Sequence, residues 1–171
     1  MPELSLEAKG QWRPMRAGDR TAVAAIADAV HPAYPEDVTV FDERLRLYPA
    51  GCLVFAGGDG LLGYAVSHPW RSGAPPHLNA RLGALPQAPD TFYLHDVALL
   101  PALRGRGAAS DVVARLTRQA RAERLPTISL VAVNGSAGFW RRFGFRPMDA
   151  PALADKLRSY GADAAFMTLA L

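Results

Sequence analysis

The segment from Val97 to Ala109 (VALLPALRGRGAA) constrains the fold more than any other part of the chain. It places strand-forming residues before a proline and two glycines, and an amphipathic stretch follows directly. From Ala108 to Arg124 the apolar residues recur at helical spacing. The segment therefore predicts a strand that turns tightly into a helix. Such a turn presents unpaired backbone N–H groups at the positive end of the helix dipole.

This arrangement favours a ligand that carries phosphate groups. Arg104 and Arg106 add positive charge at the turn. The alternative is an ordinary tight turn, in which Gly105 and Gly107 serve the backbone conformation alone. The dinucleotide-binding pattern G-x-G-x-x-G fits less well, because Ser110 stands where its third glycine would be and the segment lies late in the chain.

Length and composition indicate one globular domain. The chain has 171 residues, of which 50% are hydrophobic and 20% charged, so one core over residues 1–171 is expected. The single cysteine, Cys52, lies in an apolar run, which favours a buried side chain over a catalytic thiol. No basic leader and no long apolar stretch is found, which predicts a cytoplasmic protein without a membrane span.

Charge is distributed unevenly along the chain. The net charge is +3, the first 60 residues carry more acids than bases, and residues 101–150 carry nine arginines. A basic C-terminal half suits a phosphate-bearing ligand, and an acidic N-terminal half suits a cationic one. Nucleic acid is not favoured as a partner, because no basic stripe interleaved with aromatic residues is present. The sequence does not indicate an oligomeric state.

The remaining elements alternate between helices and strands. Asp19 is expected to cap a first helix, and a glycine-rich turn at 57–60 is expected to join two antiparallel strands. The proline-rich stretch Ser67–Asp90 is expected to form a long loop beside the functional site. The other predicted elements are strands at Trp12–Arg16, Phe92–Leu99, Ile128–Val133 and Phe166–Leu171, and helices at Phe41–Leu47 and Ser136–Phe143.

The chain resembles the GCN5-related N-acetyltransferase (GNAT) family. That family's pyrophosphate loop, Arg/Gln-x-x-Gly-x-Gly/Ala, is matched by Arg104–Ala109. After the helix the family has a strand ending in Asn, a short helix and a Gly-Phe pair, which are similar to Val131–Asn134, Ser136–Phe143 and Gly144 with Phe145. The resemblance implies a mixed, mostly antiparallel central sheet flanked by helices, an α/β (α+β) fold in one domain.

The resemblance also implies the activity and the cofactor-binding residues. It implies a transferase that moves an acetyl group from acetyl-CoA to an amine by direct attack in a ternary complex. The strand before the loop would bind the pantetheine arm, and a backbone N–H near Val97 or Ala98 would stabilise the oxyanion. The residues implied for the cofactor are Val97, Ala98, Leu99, Arg104, Gly105, Arg106, Gly107, Ala108, Ala109, Asn134 and Trp140.

Trp140 departs from the family pattern. Many members have a tyrosine there to protonate the departing thiolate, and an indole N–H is not a titrating acid near pH 7. A thiol of pKa about 8.5 is nevertheless a tolerable leaving group. We therefore expect Trp140 to be a packing residue.

His95 and Asp96 are the candidates for removing the proton from the amine. A histidine has an ordinary pKa of about 6.5, which suits a base at neutral pH, and part of the family has a histidine at the position similar to His95. Successive strand residues point to opposite faces, so only His95 is expected on the cleft side unless a bulge intervenes. A water chain in place of a side-chain base, and a structural role for His95, remain open.

The acceptor is predicted to be a small amine or a peptide. Aromatic and acidic residues of two loops could line its site through cation–π contacts and ion pairs: Tyr34, Glu36, Asp37, His68, Trp70 and Arg71. His31 and His77 stand beside prolines at wide spacing, so no metal site is expected. The alternative functions are a domain that binds acyl-CoA without turnover and an acetyltransferase for protein N-termini or lysines.

Overall fold

The computed structural model describes residues 10–171, in which one seven-stranded sheet carries helices on both faces. The sheet order is β1-β2-β3-β4-β5-β7-β6, and every neighbouring pair is antiparallel except β4 and β5. The strands are β1 Gln11–Pro14, β2 Cys52–Ala56, β3 Leu61–Trp70, β4 Thr91–Leu99, β5 Thr127–Ala132, β6 Arg146–Pro147 and β7 Ala165–Ala170. The helices are α1 Arg20–Val30, α2 Val38–Leu47, α3 Ala108–Ala122, α4 Ala137–Arg141 and α5 Ala154–Arg158.

Each face of the sheet has its own hydrophobic core. On one face α3 packs against the strands through Val112 and Leu116, with Phe92 and Phe145 beside them. On the other face α1 and α2 cover β2–β4 through a second cluster that includes Val23 and Tyr64. Burial of these side chains on both faces explains why β3 and β4 read as nearly continuous apolar runs.

Strands β4 and β5 pair over two residues and then diverge. The parallel register joins Phe92 to Ile128 and Tyr93 to Ser129 and extends no further. Beyond Tyr93, the edge of β4 that faces β5 therefore has no strand partner on that side. This opening between two central strands is the structural basis of the site described below.

The expected fold class is confirmed, with corrections at several elements. Strand β3 continues to Trp70, so the loop begins at Arg71 and not at Ser67. Asp19 stands at the N-cap position of α1, as expected, but its side chain makes no capping bond there: its carboxylate accepts a hydrogen bond from the Arg16 N–H and pairs with the Arg13 guanidinium. Elements β6, of 2 residues, and α5, of 5 residues, were not predicted.

The loop at 71–90 is held by helix α2. The buried Glu43 accepts the backbone N–H groups of Leu82 and Gly83 at 2.6 and 3.2 Å, and the neighbouring Arg44 donates to the carbonyl of Ala80 at 3.0 Å. Arg44 also pairs with Glu43 at 2.8 Å. These bonds satisfy backbone groups of an otherwise irregular segment and fix its position over the sheet.

Candidate active site

Three adjacent cavities follow the opening between β4 and β5. We call them the outer groove, at the start of α3, the middle cavity, beside Trp140, and the inner cavity, under the loops that follow α1 and β3. Their volumes are about 520, 280 and 60 Å³. The middle and inner cavities share His31, His95 and Asp96 in their walls. The outer groove and the middle cavity share Phe139.

The outer groove is formed by the glycine turn. Gly105 and Gly107 have φ of 72° and 74°, the left-handed region that glycine adopts without strain, and Gly107 is the N-cap of α3. A Cβ at either glycine would meet no protein atom within 4 Å, so the backbone faces open space. The first amides of α3 have no acceptor within the helix. The turn can therefore accept an anionic group.

Side chains around the groove add charge and anchor the helix. The groove is lined by Arg104 and by Arg142 of the segment after α4. Arg106 is exposed and does not line it, so the side chain predicted with Arg104 points elsewhere. The Trp12 indole N–H donates to the carbonyl of Ala108 at 3.0 Å in a buried contact. Trp12 thereby fixes the first residue of α3 to strand β1.

The middle cavity contains several of the residues predicted for the cofactor. Val97, Asn134 and Trp140 line it, whereas Leu99, Ala108 and Ala109 line the outer groove. Ala98 is buried in the opposite core cluster, so only its backbone is available to a ligand. Trp140 is buried, as predicted, and packs at 5.5 Å between ring centroids against Phe145.

A bulge in β4 brings His95 and Asp96 into the same cavity. Val66 of β3 is paired with Asp96, and the next residue, Ser67, with Leu94, so His95 is the extra residue. Both side chains line the middle and inner cavities. The expectation that only His95 faces the cleft is therefore wrong, because the bulge cancels the alternation of a regular strand.

Each of these side chains belongs to a histidine–carboxylate pair. His95 Nε2 lies 2.7 Å from Glu36 Oε1, and both side chains are 7% exposed. Burial raises the pKa of Glu36, but the histidine outweighs this effect, so that the pKa is lowered overall. The second oxygen of Glu36 accepts the backbone N–H of Asn79 at 3.1 Å. Glu36 thus connects His95 to the loop at 71–90.

The second pair joins His31 to Asp96. Their Nε2 and Oδ1 atoms are 2.9 Å apart, although the ring N–H is not aligned for a hydrogen bond. The buried Tyr64 hydroxyl donates to the other carboxylate oxygen of Asp96. Burial lowers the pKa of His31, and Asp96 more than compensates, so that the pKa is raised. His31 was not predicted as a site residue, because its partner is 65 positions away and no local pattern connects them.

The residues expected around the acceptor divide into two groups. Tyr34 and Glu36 line the inner cavity, together with Tyr93 and Tyr160, which were not predicted. The other four expected residues lie outside all three cavities: Asp37 caps α2 through Thr39, His68 is buried in β3, Trp70 bonds the carbonyl of Ala74, and Arg71 is exposed. His68 and Trp70 were expected in the loop beside the acceptor, but they belong to β3, which continues to Trp70.

Neither a metal cluster nor a spanning helix is found in the described part of the chain. Among residues 10–171, no group of three or more His, Cys, Asp or Glu side chains is arranged to hold a metal ion. None of the helices within that range is long and apolar enough to cross a membrane.

Sequence comparison identifies the family to which this fold and site belong. The model of the acetyltransferase (GNAT) family matches residues 19–145, and the chain belongs to that family. A search of curated protein sequences finds no match.

Several solved structures share this fold. Ard1 from Thermoplasma volcanium is 15% identical, with a TM-score of 0.72 and coverage of 95% of this chain and 97% of that one. Naa50 of Arabidopsis thaliana, in complex with the bisubstrate analogue CoA-Ac-MVNAL, is 12% identical, with a TM-score of 0.69 and coverage of 95% and 99%. The GphF GNAT-like decarboxylase, in complex with isobutyryl-CoA, is 15% identical, with a TM-score of 0.74 and coverage of 94% and 98%. At these identities the likeness shows the fold.

Proposed function

We propose that the protein is an acetyl-CoA-dependent N-acetyltransferase that acts on an amine. The observation that carries this proposal is the row of cavities, which leads from a glycine turn that can accept an anion to two histidine–carboxylate pairs, one buried and one partly buried. A ligand whose phosphate groups bind at the turn would extend along the cavities and bring its other end to these titratable groups. The CoA-derived ligands named for the Arabidopsis and GphF structures support the choice of acetyl-CoA as the co-substrate.

The cofactor would lie along the opening between β4 and β5. The amides of the turn at 105–109 would bind the pyrophosphate, with Arg104 and Arg142 beside it. The β4 backbone from Val97 to Leu99 would bind the pantetheine arm, because its edge has no strand partner there. Asn134 and Trp140 would border the thioester end.

Transfer requires a neutral amine and a stabilised oxyanion. His95, held by Glu36, would remove the proton from the ammonium group directly or through water, and the amine nitrogen would then form the C–N bond. A backbone N–H near Val97 or Ala98 would bind the developing oxyanion. The C–S bond breaks as the amide forms, and the thiolate leaves.

His31 would protonate that thiolate. Trp140 has no titrating proton, but His31 lines the same middle cavity. Asp96 raises its pKa, which favours the protonated ring relative to an ordinary histidine. Two neighbouring histidines, each with its own carboxylate, would thus serve as base and acid.

The experiment that tests the proposal has two stages. Isothermal titration with acetyl-CoA measures binding, and a thiol-release assay over a panel of amines, amino acids and peptides measures transfer. Binding with acceptor-dependent release and a product heavier by one acetyl group is the expected result. Binding without release on any acceptor would indicate the alternative, a domain that binds acyl-CoA without turnover. Absence of binding would contradict both functions.

A further inference from the structure

The inner cavity differs from the rest of the cleft in its charge. Two carboxylates, Glu36 and Asp96, stand in its wall, and none of its lining residues is a lysine or an arginine. Its two histidines are each already within 2.9 Å of a carboxylate oxygen. The nearby Arg44 lies outside the wall and is bonded to Glu43 and to the carbonyl of Ala80. An anionic group on a bound molecule would therefore be buried beside two carboxylates without a free cation to pair with.

Segments that are bonded to one another form one side of the cavity. The Tyr34 hydroxyl donates to the carbonyl of Tyr160, and the Tyr160 hydroxyl donates to the carbonyl of Pro76, each at 2.7 Å. Lys156 donates to the carbonyl of Pro75 at 2.7 Å. Three separate parts of the chain thus meet beside the site and hold one another in place.

The volume of the cavity restricts the size of its ligand. It measures about 60 Å³. A cavity needs about 10–15 Å³ to hold one water, so the inner cavity has room for only a few water-sized groups. Its aromatic walls, which include Tyr34 and Tyr93, suit the carbon chain and the ammonium group of a small amine.

We infer that the acceptor is a small primary amine without an anionic group, such as a short alkylamine, amino alcohol or diamine. Amino acids are disfavoured by their carboxylate, and protein N-termini by the small volume of the cavity. This inference rests on the proposed acetyltransferase function and specifies its substrate class.

The test compares acceptors of matched length. With saturating acetyl-CoA, kcat/KM is measured for n-butylamine, 1,4-diaminobutane, 4-aminobutanoate and a pentapeptide with a free N-terminus, by thiol release and product mass. We expect both n-butylamine and the diamine to exceed 4-aminobutanoate by at least a hundredfold and the peptide to give no product. Preference for the amino acid or the peptide would overturn the inference and leave the acetyltransferase function intact. If neither these four compounds nor a wider panel of amines is acetylated, the proposed function itself is refuted.

A cavity-enlarging variant gives an independent measurement. Leu78 lines the inner cavity, whereas Leu85 of the same loop lines none of the three. Leu78→Ala should raise the ratio of kcat/KM for n-hexylamine to that for n-butylamine at least fivefold, because the longer chain then has room. Leu85→Ala is the matched control and should leave the ratio unchanged. An unchanged ratio in both variants would show that the acceptor does not occupy this cavity.

Discussion

At the scale of single residues, the site depends on one extra residue in strand β4. The bulge at His95 turns two consecutive side chains toward one cavity, where each meets its own carboxylate or histidine partner. Titratable groups that are buried or partly buried and coupled to a specific charge are typical of catalytic positions. Variants of the individual residues distinguish the roles proposed for them.

His95→Ala should lower the acetylation rate at pH 7 by at least a hundredfold, the lower end of general-base contributions. Raising the pH should partly restore the rate, because the free amine is then deprotonated in solution. The matched variant Asp96→Asn should have a milder effect. The pH profile of kcat/KM for both variants is the measurement. Nearly full activity of His95→Ala at every pH, with loss in Asp96→Asn, would assign the base to Asp96.

His31 and Trp140 are best tested together. Trp140→Tyr alone should change turnover only modestly, because His31 already supplies the proton. His31→Gln should lower kcat about tenfold, less than a typical general acid contributes, since a thiolate leaves without full protonation. In the double variant the new tyrosine should recover part of that loss. A gain of a hundredfold from Trp140→Tyr in the native background would show instead that the acid was missing.

At the scale of elements, the turn from β4 into α3 forms the anion site. Gly73 provides a matched control for Gly107, because both have φ of 74° and a Cβ at either would meet no protein atom within 4 Å. A valine at either position incurs the strain of the left-handed conformation, about 1–2 kcal/mol. The two variants therefore separate strain from obstruction of the groove.

Gly107→Val should lose at least tenfold in acetyl-CoA affinity, because its side chain extends into the outer groove. Gly73→Val should lose similar stability and keep its affinity. Isothermal titration and urea unfolding of both variants give the two quantities. Equal affinities in the two folded variants would contradict a pyrophosphate site at this turn.

At the scale of the whole molecule, a buried histidine makes stability depend on pH. Burial in β3 lowers the pKa of His68 to about 3, against 6.5 in an unfolded chain. Between these values the unfolded state binds a proton that the folded state does not, so stability is full above pH 6.5 and falls as the pH decreases. At pH 5 the loss is about 2 kcal/mol.

His68→Phe should remove that dependence. The difference in unfolding free energy between the variant and the native protein should shift in favour of the variant by about 2 kcal/mol from pH 7 to pH 5. Urea unfolding at the two pH values measures it. A difference that is constant with pH would show that the pKa of His68 is not lowered in the folded protein. His31, whose pKa is raised, affects stability in the opposite direction as the pH falls. Because the native protein and the variant both contain His31, its contribution cancels in the difference between them.

The fold was largely predictable from the sequence, and the inner part of the site was not. Glycines at 105 and 107, apolar spacing in α3 and the order of elements are local signals, and they identified the turn and the sheet. The bulge at His95 leaves no local signal, because it arises from how β3 and β4 align. The partnership of His31 with Asp96 depends in the same way on contacts between distant segments. The expectation for His68 failed because Pro69 and the prolines at 75 and 76 made the buried end of β3 read as part of a loop.

The opening between β4 and β5 also has a consequence for how the protein opens in solution. Only two register pairs join the β1–β4 part of the sheet to the β5–β7 part, so the two halves should exchange their amide hydrogens as separate cooperative units. A molecule of acetyl-CoA lying in that opening would contact both. At a hundred times its Kd it adds about 2.7 kcal/mol to any opening that expels it. Amides of β5 and β7 should then exchange about a hundredfold more slowly, and together with those of β4. The bound cofactor would thus join the two parts of the sheet where no strand pairing connects them.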